Sequence, residues 1–161
     1  MCACGPMNRR HLLVLLSGVA SSALMACGGP SSGPEPVRWG KENCDFCGML
    51  VDDPRFAAEI RAPEGRKVWK FDDIGCAALF LAKQPWKDDP RAEFWTGDNA
   101  DGAWIDGRAA WYVSGPKSPM AYNYAASRSQ RDGALSFAQF RRTIEEKGQN
   151  GLCQVPQSGS N

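Results

Sequence analysis

Sulfur carries most of the chemistry this 161-residue sequence offers. Cys44 and Cys47 form a Cys-x-x-Cys pair, Met49 follows two residues later, and Cys76 and Met120 lie further along. Thiolate and thioether donors select soft cations such as Cu(I), whereas zinc and Cu(II) sites commonly recruit imidazole as well. The one histidine, His11, lies in a segment expected to be cleaved away, which leaves no nitrogen-rich alternative. In an extended segment Cys47 and Met49 would point their sulfurs to the same side, with Gly48 keeping the backbone between them uncrowded. Asp45, Asp52 and Asp53 add negative potential that favours a cation.

Other chemistry competes for the same residues. Cys-x-x-Cys is also the spacing of thiol–disulfide exchange, which needs a helix or cation to depress one thiol. No such device is evident beside Cys44 and Cys47, which are expected in an acidic loop ahead of a strand. Four thiols in an exported domain can also pair as structural disulfides, with three connectivities. A zinc ribbon would require a second Cys-x-x-Cys, and the sequence has none. Met49 reads equally as a packing residue and Cys76 as a small buried one. Cys153 falls in a tail-like stretch outside the expected site.

Export decides which residues take part. Asn8-Arg9-Arg10 precedes the apolar Leu12-Leu13-Val14-Leu15-Leu16, and small residues lead to Leu24-Met25-Ala26-Cys27, the pattern of a signal peptide. The apolar core is too short to span a bilayer comfortably. The last four residues resemble a lipobox, so residues 1–26 are expected to be removed and Cys27 lipidated, tethering the chain at a membrane surface. Gly28, rather than Asp, directs such a lipoprotein to the outer membrane on the periplasmic side. Without Arg9 and Arg10 the basic residues fall from 19 to 17 against 18 acidic ones, so the exported chain is nearly neutral. No basic patch invites nucleic acid.

The elements that must position the sulfurs follow from pattern. Residues 27–42 contain the lipidated Cys and a Gly-, Pro- and Ser-rich spacer; residues 43–153 form the folded domain, in halves of about 43–98 and 99–150; residues 154–161 read as a frayed tail. Residues 55–61 and 67–71 are predicted strands joined by a turn at Gly65. Asp72 or Asp73 then caps a helix with Ile74, Ala77, Ala78 and Leu81 on one face, which Pro85 stops. Residues 93–96 return as a strand. Residues 104–105, 109–114 and 122–126 are strand-like, and Ser136-x-x-Gln139 is a capping box opening a helix through Phe137, Phe140 and Ile144. Gly148 is expected to end it. Two strand–strand–helix runs imply a weak internal duplication in an α+β fold. The six tryptophans are expected in the core and at domain interfaces; Asp72 and Asp73 could orient a site, but helix capping explains them more cheaply; Asp106 is expected in a turn.

Four motifs occur in order: Asn43-Cys44-Asp45-Phe46-Cys47-Gly48-Met49, Phe71-Asp72-Asp73-Ile74-Gly75-Cys76, Trp104-Ile105-Asp106 and Ser118-Pro119-Met120. From Asn43 to Gly148 the chain closely resembles the NosL family of copper-binding lipoproteins. The resemblance implies a chaperone, not an enzyme, that carries Cu(I) for assembly of the copper sulfide centre of nitrous oxide reductase, alongside a membrane ABC-type complex. It implies two small ββαβ units in tandem, similar to part of organomercurial lyase. It places the metal on Cys47 and Met120; Cys44, Met49 and Cys76 remain auxiliary candidates on the reading of the residues themselves. The family usually reads Thr-Pro-Met-Gly where this chain reads Ser118-Pro119-Met120-Ala121, which bears on the geometry of that loop. Copper held between two chains would make a homodimer. The principal alternative is a periplasmic thiol–disulfide oxidoreductase that keeps copper-site cysteines reduced. Carbon–metal bond cleavage by Cys47, Cys76 and an Asp is a more distant one.

Overall fold

The computed structural model describes residues 32–65 and 67–149. The expected signal peptide, Cys27, Cys153 and the tail lie outside the described residues. The chain forms β1 (Ala58–Arg61), β2 (Val68–Phe71), α1 (Ile74–Ala82), β3 (Glu93–Gly97), β4 (Trp104–Asp106), β5 (Trp111–Ser114), β6 (Tyr124–Ser127) and α2 (Phe137–Gln149). The expected α+β class is what forms.

Two antiparallel sheets result, one of four strands in the order β2-β1-β3-β4 and one of β5 with β6. The first half follows the strand–strand–helix–strand order. The second differs, because β4 pairs with β3 and extends the first sheet, leaving β5, β6 and α2 beside it. Gly107 follows β4 and turns the chain toward β5. Its N–H returns to Phe94 O at 2.7 Å, while Asp106 Oδ1 takes the Arg108 N–H at 2.8 Å, so Asp106 does serve a turn.

α1 is apolar around most of its circumference, and Ile74, Gly75, Cys76, Ala77, Ala78 and Leu81 are all buried. A helix of that composition belongs inside, not on a surface; it packs against α2, β1 and β2. Asp73 is its N-cap, in an extended conformation with Oδ1 accepting the Gly75 N–H at 2.8 Å. α2 opens as the capping-box sequence predicts, with Gln139 Oε1 accepting the Ser136 N–H at 2.9 Å. Its buried Phe140 stacks on Tyr112 with ring centres 4.0 Å apart.

Two expectations need correction. Gly148 does not end α2 but lies within it, where an added Cβ would come within 2.9 Å of the Leu79 side chain; its size lets the helices approach. Trp69, Trp86 and Trp104 pack half-buried against the core, and Trp39 is exposed. Residues 33–36, expected in a flexible spacer, are fastened to the sheet. Glu93 Oε2 accepts the Gly33 N–H at 2.8 Å, Glu59 Oε2 accepts the Glu35 N–H at 2.7 Å, and Lys70 donates to Pro36 O at 2.7 Å.

Candidate metal centre

The Cys-x-x-Cys segment is a turn within the loop ahead of the first strand. Gly48, at φ +80°, takes the left-handed conformation that favours glycine, and its N–H donates to Cys44 O at 3.0 Å. Cys44 N–H then closes onto Met49 O at 2.7 Å. Two hydrogen bonds dock this turn on the edge of β2: Asp45 N–H to Lys70 O, and Lys70 N–H to Asp45 Oδ2, each 2.8 Å. Asp45 thus anchors the loop. Asp53 is likewise occupied, paired with Arg55 at 2.7 Å.

Docking brings the turn to the start of α1. Cys44 Sγ, Cys47 Sγ, Cys76 Sγ and a carboxylate oxygen of Asp72 all lie within 4.8 Å of one another. Cys44 and Cys76 are buried, Cys47 is half-buried, and all three thiols are free. Four donors at this separation can converge on a single ion, and the predominance of sulfur favours a soft one. Asp72 is 2 % exposed; Oδ1 accepts the Cys47 thiol at 3.2 Å, while Oδ2 is buried without a hydrogen-bond partner. An orphaned buried carboxylate oxygen is costly. Beside three sulfurs, it fits a cluster built to receive a cation.

The thiols are inequivalent. Cys44 is drawn down to about 7, chiefly because the Cys76 thiol donates to it, with the Cys47 N–H contributing at 3.5 Å. Cys76, as that donor and in a buried position, is pushed far up. Cys47 is pushed up to about 12, first by burial and then by the Asp72 carboxylate that its proton serves. Cys44 is therefore the first thiolate to form, and Cys47 is the thiol that solvent reaches.

Met120 follows α1's N-cap by another route. Asp73 Oδ2 accepts the Met120 N–H at 3.0 Å and the Ser118 hydroxyl at 2.6 Å. Ala121 and Asn123 both adopt left-handed backbone, at φ 57° and 60°. Tyr122 lies on Gly75 so closely that an added Cβ would come within 2.3 Å of its ring. Met120 is half-buried against the core that Cys44 and Cys76 belong to. Met49, by contrast, is 58 % exposed.

The sequence predicts Cys44, Cys47 and Cys76 as candidates, and the fold gathers them. Asp72, which the sequence offers as able to orient a site, reads there more cheaply as a capping residue, and the nearness of α1 to the Cys-x-x-Cys turn is not legible.

Fold and cluster together define a small α+β protein with a sulfur-rich centre suited to a soft metal. Residues 39–143, more than half of the chain, match the NosL family, and the chain belongs to that family. Among solved structures it is similar, at 20% identity and a TM-score of 0.47, to the copper chaperone NosL from Shewanella denitrificans, with 73% of this chain and 89% of that one covered. No curated protein matches.

Proposed function

We propose that this protein is a copper chaperone that carries Cu(I) on a sulfur site centred on Cys47 and releases it to an acceptor by ligand exchange. One observation carries the reading: three free thiols and the buried carboxylate of Asp72, one of whose oxygens has no hydrogen-bond partner, converge within 4.8 Å of one another in a chain of the NosL family. Cys47 supplies the reachable sulfur, Cys44 and Cys76 the buried ones, and Met120 a thioether from the facing loop. Met49, two residues after Cys47 and exposed, would meet an incoming or departing ion. Binding and exchange need no catalysis, and a partly open site lets an acceptor's ligand attack.

The acceptor, by family resemblance, is nitrous oxide reductase at its copper sulfide centre, served together with a membrane ABC-type complex. The lipobox ending at Cys27 supports a lipid anchor on the periplasmic face of the outer membrane. Mixing the Cu(I)-loaded protein with copper-free nitrous oxide reductase, then separating the two, tests delivery. Copper is expected to move to the reductase; retention on the chaperone would count against that acceptor.

A second reading is favoured by one feature, the depression of Cys44 beside two other thiols. A thiol–disulfide oxidoreductase would use such a thiolate. A two-electron potential in the oxidoreductase range without tight copper binding would select it.

A further inference from the structure

Asp73 is wholly buried, at 0% exposure, and it does more than cap α1. Its Oδ1 holds the Gly75 N–H at 2.8 Å, which satisfies one orphan donor of the helix. Its Oδ2 reaches across to the 118–123 loop and takes both the Ser118 hydroxyl at 2.6 Å and the Met120 N–H at 3.0 Å. Ser118 in turn accepts the Asn123 N–H at 3.0 Å, closing the loop on itself. A carboxylate accepting short bonds in a buried site makes strong, well-directed contacts.

Such contacts explain how the loop holds its shape. Two non-glycine residues in left-handed conformation, Ala121 and Asn123, persist where the surroundings over-determine the backbone. The same helix start holds the other donors: Asp72 bonds Cys47, and Cys76 lies in the first turn of α1.

We infer that Asp73 is a positioning residue for the metal site, fixing the Met120 loop to α1 so that the Met120 thioether faces the cysteine sulfurs. This rests on Met120 as a ligand. Asp72 and Asp73, adjacent in sequence, then set one donor each, Asp72 through a thiol and Asp73 through a backbone N–H. Loss of the Asp73 clamp leaves every sulfur in the chain but lets the thioether leave its place.

The test is a double-mutant cycle on the full chain, reduced and anaerobic, titrated with Cu(I) against a competing chelator. Asp73→Asn keeps a good N-cap. Its single oxygen can serve Gly75 or the loop, but not both. Ser118→Ala removes the 2.6 Å bond and leaves the cap intact, which guards against a folding defect in the first variant. Each is expected to weaken Cu(I) binding roughly tenfold, about as much as Met120→Leu, and to add less than about twofold when Met120 is already Leu. Thermal unfolding of the copper-free variants, measured alongside, should shift equally in both backgrounds. Losses that multiply, or no loss from Ser118→Ala and Asp73→Asn, would overturn the positioning role. Unchanged affinity in Met120→Leu alone would overturn the ligand reading, and the inference with it.

Discussion

The Cys47 thiol donates to Asp72 Oδ1 across 3.2 Å, joining two residues 25 positions apart in the chain. This one contact ties the Cys-x-x-Cys turn to the N-terminus of α1. After burial, which raises the thiol most, it also helps to hold the proton, because a carboxylate that accepts the proton opposes its loss.

Replacing that carboxylate should release Cys47. Asp72→Asn is expected to lower the Cys47 thiol from about 12 toward the ordinary value of 9. Alkylation of Cys47 by iodoacetamide near pH 8 should then quicken severalfold, since the thiolate is the nucleophile. Peptide mapping of the labelled protein checks this, and an unchanged rate would show that burial alone holds the proton.

Ala121 stores backbone strain at φ 57°. Ala121→Gly is expected to stabilise the protein by about 0.5–1 kcal/mol, the relief of the left-handed conformation being partly offset by a freer unfolded chain. Asn123→Gly should not help, although its φ is similar, because Asn tolerates this region and Asn123 Oδ1 faces the Ser118 N–H at 3.4 Å. Urea unfolding of both variants separates the two effects.

Gly75 has no room for a methyl group. In Gly75→Ala the new Cβ would fall 2.3 Å from the Tyr122 ring, so the ring and the loop carrying Met120 must shift. Overpacking of this kind costs about 1–3 kcal/mol. The melting temperature should fall, and Cu(I) affinity with it.

Much of this was open to sequence reasoning because it is local. Asp73 as N-cap, Gln139 as partner of Ser136, and the apolar spacing of α2 each depend on residues within one turn of helix. The features that escaped depend on distant chain. Asp72 looks like a capping residue until the turn at residues 44–49 docks on β2. Gly148 looks like a helix stop until Leu79 is seen against it. Met49 would share a side with Cys47 only on an extended segment, and the left-handed Gly48 turns the chain there and leaves the Met49 side chain exposed. Cys76 fits a buried packing role equally well, and only the meeting of α1 with the turn makes it a donor.

Glu59 makes stability depend on pH. Burial pushes its carboxyl up to about 7 from an ordinary 4.5, and its Oε1 is buried without a partner. Between those values the folded state keeps a proton that the unfolded chain has lost, so stability falls as pH rises through this window. Glu59→Gln should flatten that slope and stabilise the protein above pH 7 by up to about 3 kcal/mol. Unfolding midpoints at pH 5 and pH 8 compare the two proteins.

The central claim is that sulfur from this cluster binds Cu(I). X-ray absorption at the copper edge of the anaerobically loaded protein measures it most directly, with wild type set against Cys47→Ser. A first shell dominated by sulfur, with no more than the one Asp72 oxygen beside it, is expected in the wild type, and the loss of one sulfur neighbour, or of the bound copper, in the variant. A first shell of nitrogen or oxygen, unchanged by Cys47→Ser, would contradict it.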